Sequence, residues 1–379
     1  MKDKKYGNLQ RMIAAILLGV VLIFMIGIVA NGWQENQDTP TDGENSGEGG
    51  NKTGDADNPD GDTAVNGGTA DNNTQNKNDT QKIPEFINYL TGTECTEEEY
   101  MQIPFAFMLD SGAPLYGISD SSVAIEIPIE NGETRLLLIS ADAFSLGKLG
   151  SFTYTRDYML GISDYFGAMS VFYGKDDVVE YGSDAKGTLI DLSGYGDSLY
   201  HENGKHIYIS GEGLKDICAT ENIDNEIYRF PSSPYTFSDF GKTVLGNTDA
   251  TKVTLPYASS NETVLSFDRE SQRYILYKDG KEKKDMLNST AASYTNVFVL
   301  FADTVTYETS RGTETVVDTA GKGSGYYISM GKMIEIRWKT DKSGNLVFED
   351  LNGDKLTVNR GNSYIGYYKS SHSGSVVIE

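Results

Sequence analysis

A run of apolar residues, Met12–Ala30 (MIAAILLGVVLIFMIGIVA), follows Lys2, Lys4, Lys5 and Arg11 and leads into a polar segment with no basic cluster. As an α-helix it is long enough to cross the ~30 Å hydrocarbon core of a bilayer. The charge asymmetry predicts an amino end kept in the cytoplasm and a carboxyl part delivered outside. Residues 26–30 stay apolar where a cleaved signal peptide turns to a small-residue cleavage site, which favours an uncleaved signal anchor. No Cys directly follows the run, so there is no thiol for lipid attachment there. The expected topology is a cytoplasmic tail at 1–11, a transmembrane signal anchor at 12–30 and a single-pass cell-membrane protein with an extracytoplasmic C-terminal part.

Residues 31–82 are rich in Asn, Asp, Gly, Thr and Gln, with Trp33 and Val65 as isolated large apolar side chains. Such a segment cannot bury enough surface to offset chain entropy, so it reads as a disordered acidic linker that its own carboxylates keep extended. The whole chain carries a formal charge of −23; residues 1–30 hold +3 and residues 31–82 hold −8, which leaves −18 for the rest. Nucleic-acid binding rests on clustered Lys and Arg, and none is present.

Apolar and aromatic residues return at Ile83 and continue to the end, enough chain for two ordinary domains. Asn131–Gly132, between VAIEIPIE and ETRLLLI, is a strong short-range hairpin signal, repeated at Asn203–Gly204, Asp279–Gly280 and Asn352–Gly353. NVFVLFADTVTYET, GYYISMGKMIEIRW and SGNLVFEDLNGDKLTV read as further strands. TRDYMLGISDYFGAM places Tyr158, Ile162, Tyr165, Phe166 and Met169 at helical spacing behind a Thr155 cap, and leads into the strand SVFYG. The expected fold class is α+β, an antiparallel-sheet-rich ectodomain in two parts. An N-terminal α+β domain covers 83–245 and a β-rich C-terminal domain covers 246–379, divided at the loop-like SSPYTFSDFGKTVLGNTDATK. Cys95 and Cys218 are the only cysteines, and an outside location permits a disulfide between them.

Few residues suggest chemistry. With Asn131–Gly132 as a two-residue turn, Glu130 faces Glu133, Pro128 faces Arg135 and Glu126 faces Leu137, which puts Glu126, Glu130, Glu133 and Arg135 on one sheet face. Two carboxylates there suggest the acid and base of glycoside cleavage, yet residues i and i+4 on a strand lie ~13 Å apart, too far for that pair. An ion-paired face is the plainer reading. His201 and His206, opposed across Asn203–Gly204, lack a third metal ligand. Ser145-x-x-Lys148 copies a serine-nucleophile pattern without its companion elements. Gly321, Gly323 and Gly325 read as a flexible turn, because a phosphate loop needs a strand before it and a helix after it. Asp350, Asn352 and Asp354 begin like a calcium loop, but Lys355 and Gly361 stand where Gly and Glu are needed. No metal and no cofactor is expected.

IPFAFMLD, the segment Glu126–Ile139, TRDYMLGISDYFGAMSVFYG, GKGSGYYISMGKMIEIRWKT and LTVNRGNSYIGYY, in this order from Ile103 to Tyr368, resemble the YerB-like lipoprotein family, defined by a domain of unknown function. The resemblance implies an envelope-associated two-part ectodomain and no particular reaction. Position by position it places the family's acidic strand and Thr-Arg on Glu126, Glu130, Thr134 and Arg135, and its Arg before an aromatic on Arg156. The chain departs from the pattern at Thr153, where the family has Arg, and at Pro234–Tyr235, where it has Pro-His. A family His is also replaced within Glu282–Lys284, and a helix stands in place of the lipidated cysteine.

These features together suggest a membrane-anchored extracytoplasmic module that binds or assembles envelope components, with the membrane and a cell-wall or envelope-protein partner, and Glu126, Glu130, Arg135 and Arg156 as candidate ligand-binding residues. The alternative is a wall-directed hydrolase or transferase working through the same carboxylates and arginines.

Overall fold

Continuous apolar runs in this chain become strands buried on both faces. A computed structural model describes residues 83–174, 189–224, 233–309 and 312–379. The apolar run 12–30 and the linker 31–82 lie outside the described residues, and no described helix is long and apolar enough to cross a membrane. The central strands are β1 (Phe105–Asp110), β2 (Val123–Pro128), β3 (Thr134–Ser140), β4 (Met169–Phe172) and β5 (Leu189–Asp191). β6 (Lys252–Ala258), β7 (Asn261–Asp268) and β8 (Arg273–Lys278) form a meander. After it come β9 (Asn296–Ala302), β10 (Thr304–Thr309), β11 (Gly312–Val317), β12 (Lys322–Ser329), β13 (Lys332–Thr340), β14 (Leu346–Glu349) and β15 (Ser363–Lys369). The helices are α1 (Glu97–Met101), α2 (Asp157–Tyr165) and α3 (Gly211–Glu221).

An 11-stranded mixed sheet runs in the order β13-β12-β9-β15-β2-β3-β1-β4-β5, with β14 and the short strand Thr248–Asp249 also on β13. The pairs β2/β15, β9/β15, β1/β4 and β4/β5 are parallel and the others antiparallel. The two parts that the sequence separates near residue 245 therefore share one sheet, joined where β2 pairs with β15. β3 and β9 are buried at every position, as central strands covered on both sides must be. One face packs on the meander, through Ala124, Leu136 and Leu138 against Val253, Leu255 and Leu265. The other holds Ile125, Ile127, Leu137 and Trp338, with Met159, Ile162 and Phe166 from α2 and its C-cap. The meander strands alternate buried and half-buried residues, the pattern of a sheet with one wet face.

The helix foreseen from Tyr158 onward is α2, followed as expected by a strand, β4, but it ends at Tyr165, so Met169, expected on the helix, opens β4 instead. Its N-cap is Arg156 rather than Thr155, and no side chain caps it. Thr155 is still extended, its N–H donating to the Gly174 carbonyl at 3.4 Å, so the helix starts later. Cys95 and Cys218 are both free. Gly323 and Gly325 lie inside β12 rather than in a turn, because a Cβ at either would strike the carbonyl of Phe301 or Val299 on β9.

The first hairpin keeps its expected turn and changes its register. Asn131 (φ 59°) and Gly132 (φ 73°) both take left-handed conformations, and the Glu133 N–H donates to the Glu130 carbonyl at 3.1 Å, a type I′ turn. The Ile129 N–H also donates to Glu133, at 2.8 Å, so Ile129 and Glu130 together oppose one residue. This bulge makes Pro128 face Thr134, Ile127 face Arg135 and Glu126 face Leu136. A one-residue slip turns every side chain of β3 to the opposite face, so Arg135 lies across the sheet from Glu126. Gly132 is fixed in this turn by its left-handed backbone and by Ala258, whose Cβ lies 2.5 Å from where a Gly132 side chain begins. Gly132→Ala is expected to lower stability by about 1 to 2 kcal/mol in urea melts, with Asn131→Gly close to neutral; equal costs at the two positions contradict this assignment.

Candidate functional site

Glu126 sits on β2 where the meander covers the central sheet, and it is 3 % exposed. Its Oε1 accepts from Thr134 Oγ1 at 2.6 Å and from Lys278 Nζ. Its Oε2 accepts from Thr263 Oγ1 at 2.8 Å and from the Tyr364 hydroxyl. Lys278 Nζ also donates to Thr263 Oγ1 at 2.9 Å and Thr134 Oγ1 at 3.2 Å, which closes the network. Burial alone raises a carboxyl's pKa, but the Lys278 ammonium and the hydroxyl donors outweigh it and hold Glu126 below its ordinary value. Burial, then the Glu126 charge, pushes the Tyr364 and Tyr257 hydroxyls well up. The cluster is a charged tie between two sheets, and only Thr134 among its partners is near Glu126 in sequence.

Glu130 and Arg156 do come together. Arg156 Nη2 donates to Glu130 Oε1 at 2.7 Å, and Nη1 donates to the Thr315 carbonyl of β11 at 3.0 Å. The side chains are 6 % and 18 % exposed. Burial opposes the ionised form of Glu130, yet the Arg156 hydrogen bond prevails and its pKa is lowered. Arg135 meets neither glutamate, contrary to the expected ion-paired face, because the bulge has turned it away. Its guanidinium lies 4.9 Å from the centre of the Tyr154 ring, and that of Arg156 lies 5.7 Å from the same ring. Arg135 Nε is buried with no hydrogen-bond acceptor.

The hairpin tip Glu130–Gly132 separates two concavities. One, of about 340 Å³, is lined by Asn131, Tyr154, Arg156, Thr313 and Glu314. The other, of about 270 Å³, lies between β6, the β10–β11 ribbon and the end of β15, with Tyr257, Thr304, Tyr368, Lys369 and His372 in its walls. Sequence reasoning missed this second set. It is assembled only when β15 pairs with β2, and the one local signal was the motif LTVNRGNSYIGYY, which stops just before Lys369.

The remaining motifs resolve into structure. In the second hairpin Glu202 faces His206 and His201 faces Ile207, the same slip of one residue, so the histidines are not opposed. Among the described residues no group of three or more His, Cys, Asp or Glu is placed to hold a metal ion. Ser145 donates to the Asp142 carbonyl at 3.2 Å, while Lys148 pairs with Glu202 between the Tyr116 and Tyr208 rings, so the two form no dyad. Ser151 Oγ lies 3.3 Å from His206 Nδ1, but Ser151 is 2 % exposed and out of a substrate's reach. Asp350 Oδ1 accepts from the N–H groups of Asn352 and Asp354, a self-contained turn.

Residues 253–365 match the family described as "Protein of unknown function (DUF3048) C-terminal domain". The crystal structure of YerB from Bacillus subtilis superposes with a TM-score of 0.65 at 18 % sequence identity, covering 78 % of this chain and 100 % of that one. No curated protein matches.

Proposed function

We propose that this YerB-like chain, which belongs through residues 253–365 to the DUF3048 proteins, is a membrane-tethered extracytoplasmic module that binds envelope material without cleaving it. The observation that carries this reading is the saturation of its two candidate carboxylates, Glu126 and Glu130. A general acid or base needs a proton site that a substrate can reach. Both oxygens of Glu126 are taken by buried donors, and Glu130 is held ionised by Arg156.

The positions where the resemblance places histidines support the same reading. Tyr235 is 2 % exposed, with its hydroxyl 3.4 Å from the Leu90 carbonyl. Lys283 Nζ donates to the carbonyls of Ser111 and Ala113, at 2.9 and 3.1 Å. Both are fixtures of the fold. The test is to mix the purified chain with isolated cell-wall sacculi, then to spin and assay. The chain is expected to pellet with the wall and to release no soluble sugar or peptide. Steady release of fragments establishes the hydrolase instead, and failure to pellet removes the wall as partner.

A further inference from the structure

The 270 Å³ cleft beside the hairpin tip has an apolar floor of Pro128, Ile129 and Pro256 and carries Lys369 and His372 in its wall. Lys369 ends β15, and His372 follows in the 3-10 turn Ser370–Ser375. Lys278, Lys148 and Lys339 are each locked to a glutamate, whereas no ion pair engages Lys369 or His372 among the described residues. Glu130, the carboxylate in the same wall, is satisfied by Arg156 and by the Thr315 N–H at 3.4 Å. His372 Nδ1 meets only its neighbour Ser371, at 2.9 Å, and the side chain is exposed. The cleft thus offers the Lys369 ammonium and the His372 imidazole, neither held in an ion pair among the described residues, beside apolar side chains.

We propose that this cleft binds a small carboxylate ligand, the carboxylate held by Lys369 and His372 and the body lying against Pro128, Ile129 and Pro256. Two features limit its size. The cavity is below the usual range for drug-sized ligands. The chain's net charge of −23 repels polyanions, so a bound anion must stay within reach of these two side chains. A sugar acid and a peptide carboxyl terminus share this chemistry. The inference rests on reading the chain as a binding module and adds its ligand class.

The test titrates the full-length chain, in mild detergent, with glucuronate and with N-acetyl-alanyl-alanine, each against its neutral counterpart, glucose and the dipeptide amide. One acid is expected to bind and its neutral counterpart not; which acid binds identifies the source. Lys369→Met should weaken that binding about tenfold or more, the loss of one charge-assisted contact, and His372→Ala should weaken it in the same direction, both with unchanged melting temperatures. If neither acid binds, or if the double variant binds as well as the parent, the carboxylate site is overturned. Should the chain still pellet with wall material in that case, the binding-module reading stands; fragment release overturns that reading independently.

Discussion

Lys278→Met is expected to cost about 3 to 5 kcal/mol at neutral pH, because it leaves the Glu126 carboxylate charged, buried and without a counter-ion. The loss has a distinctive pH dependence. In the parent chain the pKa of Glu126 is lowered from 4.5, so its contribution to stability is fully present above that value and fades as pH falls through the native pKa. In the variant the hydroxyls of Thr134, Thr263 and Tyr364 still donate to the carboxylate, but with the ammonium gone burial weighs more heavily and its pKa rises relative to the parent. Its deficit should therefore be largest near pH 7 and shrink on acidification, as Glu126 takes up a proton. Melts of both chains between pH 4 and pH 8 check this; a deficit that is constant with pH contradicts the ion-pair origin.

Arg156→Ala is expected to cost about 2 to 3 kcal/mol, less than Lys278→Met, because Glu130 keeps some contact with water. The change removes the link between the N-cap of α2, the hairpin tip and the Thr315 carbonyl of β11. Arg135→Leu should cost less again, since no carboxylate depends on it and its contact is with the Tyr154 ring. Urea denaturation of the two variants orders them, and a larger loss at Arg135 than at Arg156 contradicts the assignment of Glu130 to Arg156.

Turn type was legible in the sequence and strand register was not. Asn131–Gly132 and Asn203–Gly204 adopt the left-handed pairs that their residues favour. The bulge beside each turn has no sequence mark, and in β3 the run Leu136–Ile139 is apolar in either register because both faces of the sheet are covered. That slip decides the site, exchanging Arg135 for Thr134 beside Glu126. The ammonium that neutralises Glu126 comes from Lys278, 152 residues away, and the hydroxyl of Tyr364 from 238 residues away. No local pattern announces such partners. The parallel pairing of β2 with β15 is equally non-local, and it both joins the two parts of residues 83–379 and brings Lys369 to the hairpin. Features fixed by nearby chain, the presence of α2 and of the strand after it, were legible from spacing, although the helix stops at Tyr165, buries Met159 beside Ile162, and leaves Met169 to the strand.

The most direct measurement is wall pelleting and thermal melting of the double variant Glu126→Leu/Lys278→Met. Replacing both members of a buried pair with apolar groups of similar volume is often neutral. The double variant should regain most of the stability lost by Lys278→Met and, like the parent, is expected to pellet with sacculi. A double variant that melts like the parent yet no longer binds wall material would show that Glu126 and Lys278 serve the ligand rather than the fold.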